Sequence, residues 1–173
     1  MLCIRRYEPA DCKALAELFC ETVHAVNAKD YTKEQLDAWT AGSADLERWG
    51  RTLAEHDTVV AVEKDRIVGF ADMAEGGCFD RLYVHKDYQN RGIATALCDE
   101  LEQKVAGDNI TVHASITAKP FFLSRGYRVV KEQQVIRQGI SLTNFVMEKD
   151  HHKRERDTMP DVNKTCGSEC LGW

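Results

Sequence analysis

The sequence predicts a mixed α/β chain of the α+β kind: a mostly antiparallel central sheet containing one parallel strand pair, with helices packed against it. Three observations carry that prediction. Leu15, Leu18, Phe19, Thr22, Val23 and Val26 recur at i, i+3, i+4 and i+7, the stripe of a helix with one buried face. Two strand-like runs in TVVAVEKDRIVGFADMAEGG flank a turn at residues 63–66 and read as an antiparallel hairpin. Strand, helix and strand then follow one another between residues 78 and 115, the crossover that joins parallel neighbours.

The remaining elements follow from local signals. Residues 2–7 read as a short strand, and Pro9 with Asp11 opens the first helix. Thr32 with Gln35 three positions on forms a capping-box pattern, starting a helix that carries Leu36 and Trp39 until Gly42 stops it. A short helix over 45–55 presents Leu46, Trp49 and Leu53. Gly76 and Gly77 break the chain before the run at 78–84, and the next helix, striped by Ile93, Leu97, Leu101 and Val105, is expected to end at Gly107. A strand at 110–115, a short helix at 119–124 and strands at 127–135 and 141–148 complete the fold. Beyond Asp150 the chain is polar and without apolar periodicity. The expected organisation is one domain over 1–149 and a disordered or loosely docked tail over 150–173.

Composition bounds the function. A chain of 173 residues with 43% hydrophobic and 29% charged residues is one globular domain able to bury a core. A formal charge of -5 supplies no global field for nucleic acid or anionic lipid, so neither is an expected partner and any phosphate binding must be local. Seven cysteines, an odd number mostly without short paired spacings, read as free thiols in a reducing compartment. Without a run of 18 apolar residues or a signal-peptide start, the expected location is cytoplasmic and no membrane contact is expected. His151, His152, Cys166 and Cys170 match no closed zinc spacing, so no metal is expected.

The local phosphate site has a candidate. Gln89, Asn90, Arg91, Gly92, Ile93 and Ala94 lie where a strand hands over to a helix, where several backbone N–H groups have no internal partner and the helix dipole adds positive potential. Gly92 lets the backbone approach a ligand and Ala94 keeps the first turn uncrowded. The Q/R-x-x-G-x-G/A pattern is short, and its place between strand and helix is what gives it weight.

With this turn in place, residues 2–149 resemble a GNAT-superfamily N-acetyltransferase. YTKEQLDAW, VGFADM, RLYVHKDYQNRGIATAL, AKPFFLSRGY and ISLTNFVMEKD, in that order, are similar to the YafP-type branch of acetyltransferases. The resemblance implies a GNAT fold with helices on both sheet faces and a splayed parallel strand pair whose gap is filled by the pantetheine arm of acetyl-CoA. It implies transfer of the acetyl group to a primary amine, on a small molecule or peptide, by direct attack in a ternary complex. Leu82 and Val84 match the strand positions that pair with pantetheine, with the Val84 N–H polarising the thioester carbonyl. Gln89 to Thr95, including Arg91 as a local cation, match the pyrophosphate loop; Ser115 and Lys119 match contacts to the lower part of the cofactor. GNAT proteins often form a homodimer.

Within that frame the attacking amine must be neutral, so a base or a water chain has to remove a proton. The family often places the base on the strand before the loop, and even steps back from Val84 reach Leu82, Asp80 and Cys78. Asp80 is the candidate base; its plainer reading is a carboxylate that starts the strand and meets water. The tyrosine that often protonates the departing thiolate is replaced by Phe122, leaving Ser115, Ser124 or water as the acid, or an acyl-CoA-binding or regulatory module with little catalysis in which Phe122 packs on pantetheine. Glu21, His24, Tyr31, Gln35 and Trp39 are the expected amine-site residues, with Trp39 also readable as a core anchor and His24 as a rim residue. His113 reads as structural, while Tyr83 and His85 point away from the Val84 face unless the strand is bulged.

Overall fold

The computed structural model describes residues 1–107 and 109–151. Seven strands form one sheet in the order β1-β2-β3-β4-β5-β7-β6. They are β1 (Leu2–Arg6), β2 (Asp57–Glu63), β3 (Arg66–Ala74), β4 (Cys78–Val84), β5 (Asn109–Ser115), β6 (Arg128–Arg137) and β7 (Ile140–Asp150). Every pairing is antiparallel except that of β4 with β5. The helices are α1 (Cys12–Val26), α2 (Lys33–Thr40), α3 (Leu46–Glu55), α4 (Ile93–Glu102) and α5 (Lys119–Ser124).

Strand alternation divides the hydrophobic residues between two cores. Val60, Phe70, Tyr83 and Leu142 point to the face covered by α1, α2 and α3, where they meet Leu15, Phe19, Leu36 and Trp49. Val59, Ala71, Met73, Val84 and Met147 point to the opposite face, where Ile93, Leu97 and Leu101 of α4 and Phe122 of α5 cover them. Helices thus lie on both faces. The local signals act as read: the Thr32 hydroxyl accepts from the Gln35 N–H while the Gln35 side chain accepts from the Thr32 N–H, at 3.3 and 2.9 Å. Asp45 caps α3 by accepting from the Arg48 N–H at 3.0 Å, and Lys64 and Asp65 turn the β2–β3 hairpin with φ of 50° and 61°.

Three expectations are corrected. Helix α4 stops at Glu102 instead of Gly107, because Lys104 and Val105 donate to the carbonyls of Leu101 and Glu102, three residues back, and tighten the last turn. Val105 still packs on the core, from outside the helix. The last two strands are longer than expected and meet in a tight turn at Gln138 and Gly139, with φ of 48° and 75°. Cys3, Cys12, Cys20 and Cys98 are free thiols, but Cys78 is disulfide-bonded. The tail reading falls on residues that, past His151, lie outside the described residues. Among the described residues no helix is long and apolar enough to cross a membrane.

Candidate active site

Parallel pairing of β4 with β5 is confined to Cys78 opposite Thr111 and Phe79 opposite Val112. Beyond that point the strands part, and a cleft of about 610 Å³ opens between them. The start of α4 faces it: Gln89, Asn90, Gly92, Ile93, Ala94 and Thr95 all line the cleft. Gly92 is the N-cap in the left-handed region, at φ 76°, and no side chain caps the helix. The N–H groups of the first turn therefore have no side-chain partner and point toward the opening. A Cβ at Gly92 would meet no protein atom within 4 Å, so it is the sign of φ and not crowding that favours glycine there.

The end of β4 is held in place from two sides. The Gln89 amide and the Thr22 hydroxyl both donate to the Val84 carbonyl, at 2.5 and 3.4 Å. Leu82, Val84, Ser115 and Phe122 line the cleft; Arg91 and Lys119 do not. Arg91 stacks at 4.7 Å on Tyr88 and donates to the Asp87 carbonyl, and the Lys119 ammonium sits 3.9 Å over the Phe145 ring. Phe122 is fully buried in edge contacts with Tyr127 and tilted against Phe79. The candidate hydroxyl acids are committed locally, Ser115 accepting from the Ala118 N–H at 3.0 Å and Ser124 donating to the Phe121 carbonyl at 2.6 Å.

A β-bulge changes the reading of Asp80. Asp72 pairs with Arg81 while Met73 pairs with Phe79, so Asp80 is the extra residue on β4. Even counting from Val84 fails across it: Phe79 takes the α4 face and Asp80 turns to the other, beside Arg81. Asp80 is also no water-facing strand start, since it is 4% exposed. It joins a buried charge cluster that no short motif announces. Arg81 donates to Asp72 at 2.8 Å and lies 3.5 Å from Asp80; His56 Nδ1 lies 2.7 Å from Asp72 and 3.8 Å from Asp80. Burial pulls the His56 pKa down, but the hydrogen bond to Asp72 and the charges of Asp72 and Asp80 outweigh it and hold the pKa above the ordinary histidine value. Asp80 and Arg81 both line the cleft.

The expected amine-site residues do not converge. Glu21 lies 3.7 Å from His85 at the surface, and His24 bonds the Cys20 carbonyl and Asp37 at 2.9 and 3.0 Å. Gln35 donates to the Ser141 carbonyl. The Tyr31 hydroxyl donates to the Thr143 carbonyl at 2.7 Å and accepts from the Ile116 N–H at 2.8 Å, and burial raises its pKa to about 12. Trp39 of this group lines a second, smaller cavity. Sequence reading passed over Asn27, Tyr88 and Thr117, which line the cleft, as does His113, which it read as structural. His113, its pKa lowered by burial and by Lys131, reaches the cleft because the strands part.

Residues 27–149 match the family described as acetyltransferase (GNAT) domain. The chain belongs to the GNAT acetyltransferase family. It is 38% identical to the uncharacterized N-acetyltransferase YafP of Escherichia coli over 83% of its own length and 93% of YafP. It is 30% identical to the L-amino acid N-acyltransferase MnaT of E. coli over 63% of its length and 67% of MnaT. Among solved structures, a GCN5-related N-acetyltransferase from Rhodopseudomonas palustris aligns with a TM-score of 0.84 at 33% identity, covering 86% of this chain and 94% of the other. As a GNAT N-acetyltransferase the chain uses acetyl-CoA as co-substrate, and the splayed cleft with an open helix terminus has the donors that a pyrophosphate needs.

Proposed function

We propose that this GNAT enzyme acetylates a primary amine by direct attack on acetyl-CoA in a ternary complex. The observation that carries the reading is one cleft bounded by both an anion cradle and a buried acid–base cluster. Backbone N–H groups from Gly92 to Thr95 hold the pyrophosphate, and Leu82 and Val84 pair with the pantetheine arm as a missing strand would, with the Val84 N–H on the thioester carbonyl. Acetyl-CoA supplies the activated acyl group. MnaT is named for acylating L-amino acids, which supports a small-molecule amine over a protein. Four free thiols among the described residues support a cytoplasmic location, with the bonded Cys78 pointing the other way.

The chain's own task is the amine's proton. Asp80 accepts it in the cleft and relays it through water to the outer nitrogen of His56, whose Nδ1–H is committed to Asp72 at 2.7 Å and lies 3.8 Å from Asp80, beyond direct hydrogen-bond reach. That route requires neutral His56, so the rate rises with pH through a value above the usual ~6.5 of histidine. The test is initial-rate thiol release with an amine panel from pH 5.5 to 9. Asp80→Asn lowers the rate by roughly 10²-fold and flattens the rise, since an amide cannot accept the proton; a profile matching the parent makes water the base.

Phe122, standing where the family often has a tyrosine, favours a second reading, an acyl-CoA-binding module with little catalysis. Tight acetyl-CoA binding with no amine raising thiol release above hydrolysis would select it.

A further inference from the structure

The second cavity, of about 200 Å³, lies on the α1–α3 face of the sheet. We infer that it is the acceptor site and that it selects amines which also carry a carboxylate, of the size of a free amino acid. Among the described residues Arg48, Arg81 and Arg137 line it, with no aspartate or glutamate, although the chain as a whole carries a charge of -5. Trp39, Trp49 and Phe19 supply its apolar walls. A guanidinium fork fits a carboxylate with two parallel hydrogen bonds, and ring faces take an apolar side chain. The volume equals roughly seven waters at ~30 Å³ each, room for a small molecule and not for a folded partner.

Arg81 fixes the orientation. It belongs to both cavities, stacks 4.5 Å over Trp49 and has its charge balanced by Asp72 and Asp80. Positive potential on the far side comes from Arg48, which is exposed and makes no ion pair among the described residues, while Arg137 sits at the end of β6 with guanidinium donors at the cavity wall. Negative potential lies at Asp80, on the cleft side. A zwitterion aligned in this field places its carboxylate on Arg48 and Arg137 and its ammonium toward Asp80 and the thioester. The orientation of the amine rests on the acetyl-transfer reading; the preference for a carboxylate does not.

The experiment titrates the full-length, CoA-loaded protein calorimetrically with two matched pairs, L-leucine against 3-methylbutylamine and L-phenylalanine against 2-phenylethylamine, and follows thiol release with the same compounds. At least one amino acid should bind about tenfold or more tighter than its decarboxylated partner. Arg48→Gln and Arg137→Gln should each shrink that preference to about threefold or less, with acetyl-CoA affinity unchanged as the check on folding. Equal binding within both pairs, binding of neither member, or a preference untouched by both variants overturns the inference. Preferred amino-acid binding without thiol release keeps the site and removes the acetyl-transfer reading; equal thiol release from all four amines does the reverse.

Discussion

Gly92 and Asp80 show how far a single position determines this site. Gly92 holds φ 76° at the head of α4 with open space where a side chain would stand. Any L residue there costs about 1–2 kcal/mol in conformation and, on the proposed cofactor site, fills the volume a phosphate would occupy. Gly92→Val should lower acetyl-CoA affinity at least about tenfold by calorimetry while the protein stays folded; unchanged affinity would mean that the cradle is elsewhere. This residue was legible in the sequence because a glycine between a strand and a helix has few structural uses. Asp80 was legible as a strand residue and misread as to its face. A bulge adds one residue without marking the alternation, and CFDRLYV contains nothing that reveals which residue is extra. Of the partners that define its chemistry, Arg81 is its neighbour on β4, but Asp72 comes from β3 and His56 from the link between α3 and β2, with no spacing that announces them.

The parting of β4 from β5 is a property of elements, and Tyr31 is what ties it to the helical layer. Its hydroxyl bonds the Ile116 N–H just past β5 and the Thr143 carbonyl on β7, joining positions 85 and 112 residues away in the chain. Residue type suggested a substrate contact; long-range pairing, invisible to local periodicity, makes it a strut. Tyr31→Phe leaves a buried N–H and a carbonyl without that partner, at a cost of about 1–3 kcal/mol. Urea denaturation should show that loss, and the KM for acetyl-CoA should rise because the β5 wall of the cleft is no longer held. Full stability with an unchanged KM would remove the strut. The helices and the hairpin, by contrast, were read nearly to their ends, since their caps and stripes are local. Where α4 departs from its stripe, long-range contacts accompany the tightened last turn: its last residue, Glu102, is held by Arg125, Tyr127 and Lys149.

At the scale of the molecule, two buried charge clusters on opposite faces of the sheet set the pH range of stability. Burial raises the Glu102 pKa, but hydrogen bonds from Arg125, Lys149 and Tyr127 outweigh it and hold the carboxyl below its ordinary value. A depressed folded pKa contributes stability above the unfolded value of ~4.3, lost as pH falls from there through the folded pKa. His56 has the opposite sign. Its folded pKa is raised, so its contribution is complete below ~6.5 and fades as pH rises through the folded value. The two groups together favour the interval between roughly 4.3 and 6.5. The proposed proton route, however, needs neutral His56, so activity should climb over the range in which this part of the stability declines. Melting temperatures from pH 3.5 to 8.5 test the linkage. Glu102→Gln should lower the plateau, with about 3–5 kcal/mol expected for stranding buried partners, and should flatten the acid limb. His56→Gln should flatten the decline above ~6.5 and, in the same protein, the rise of rate with pH. If His56→Gln removes the stability slope but leaves the rate profile intact, His56 supports the fold and Asp80 passes its proton to water directly.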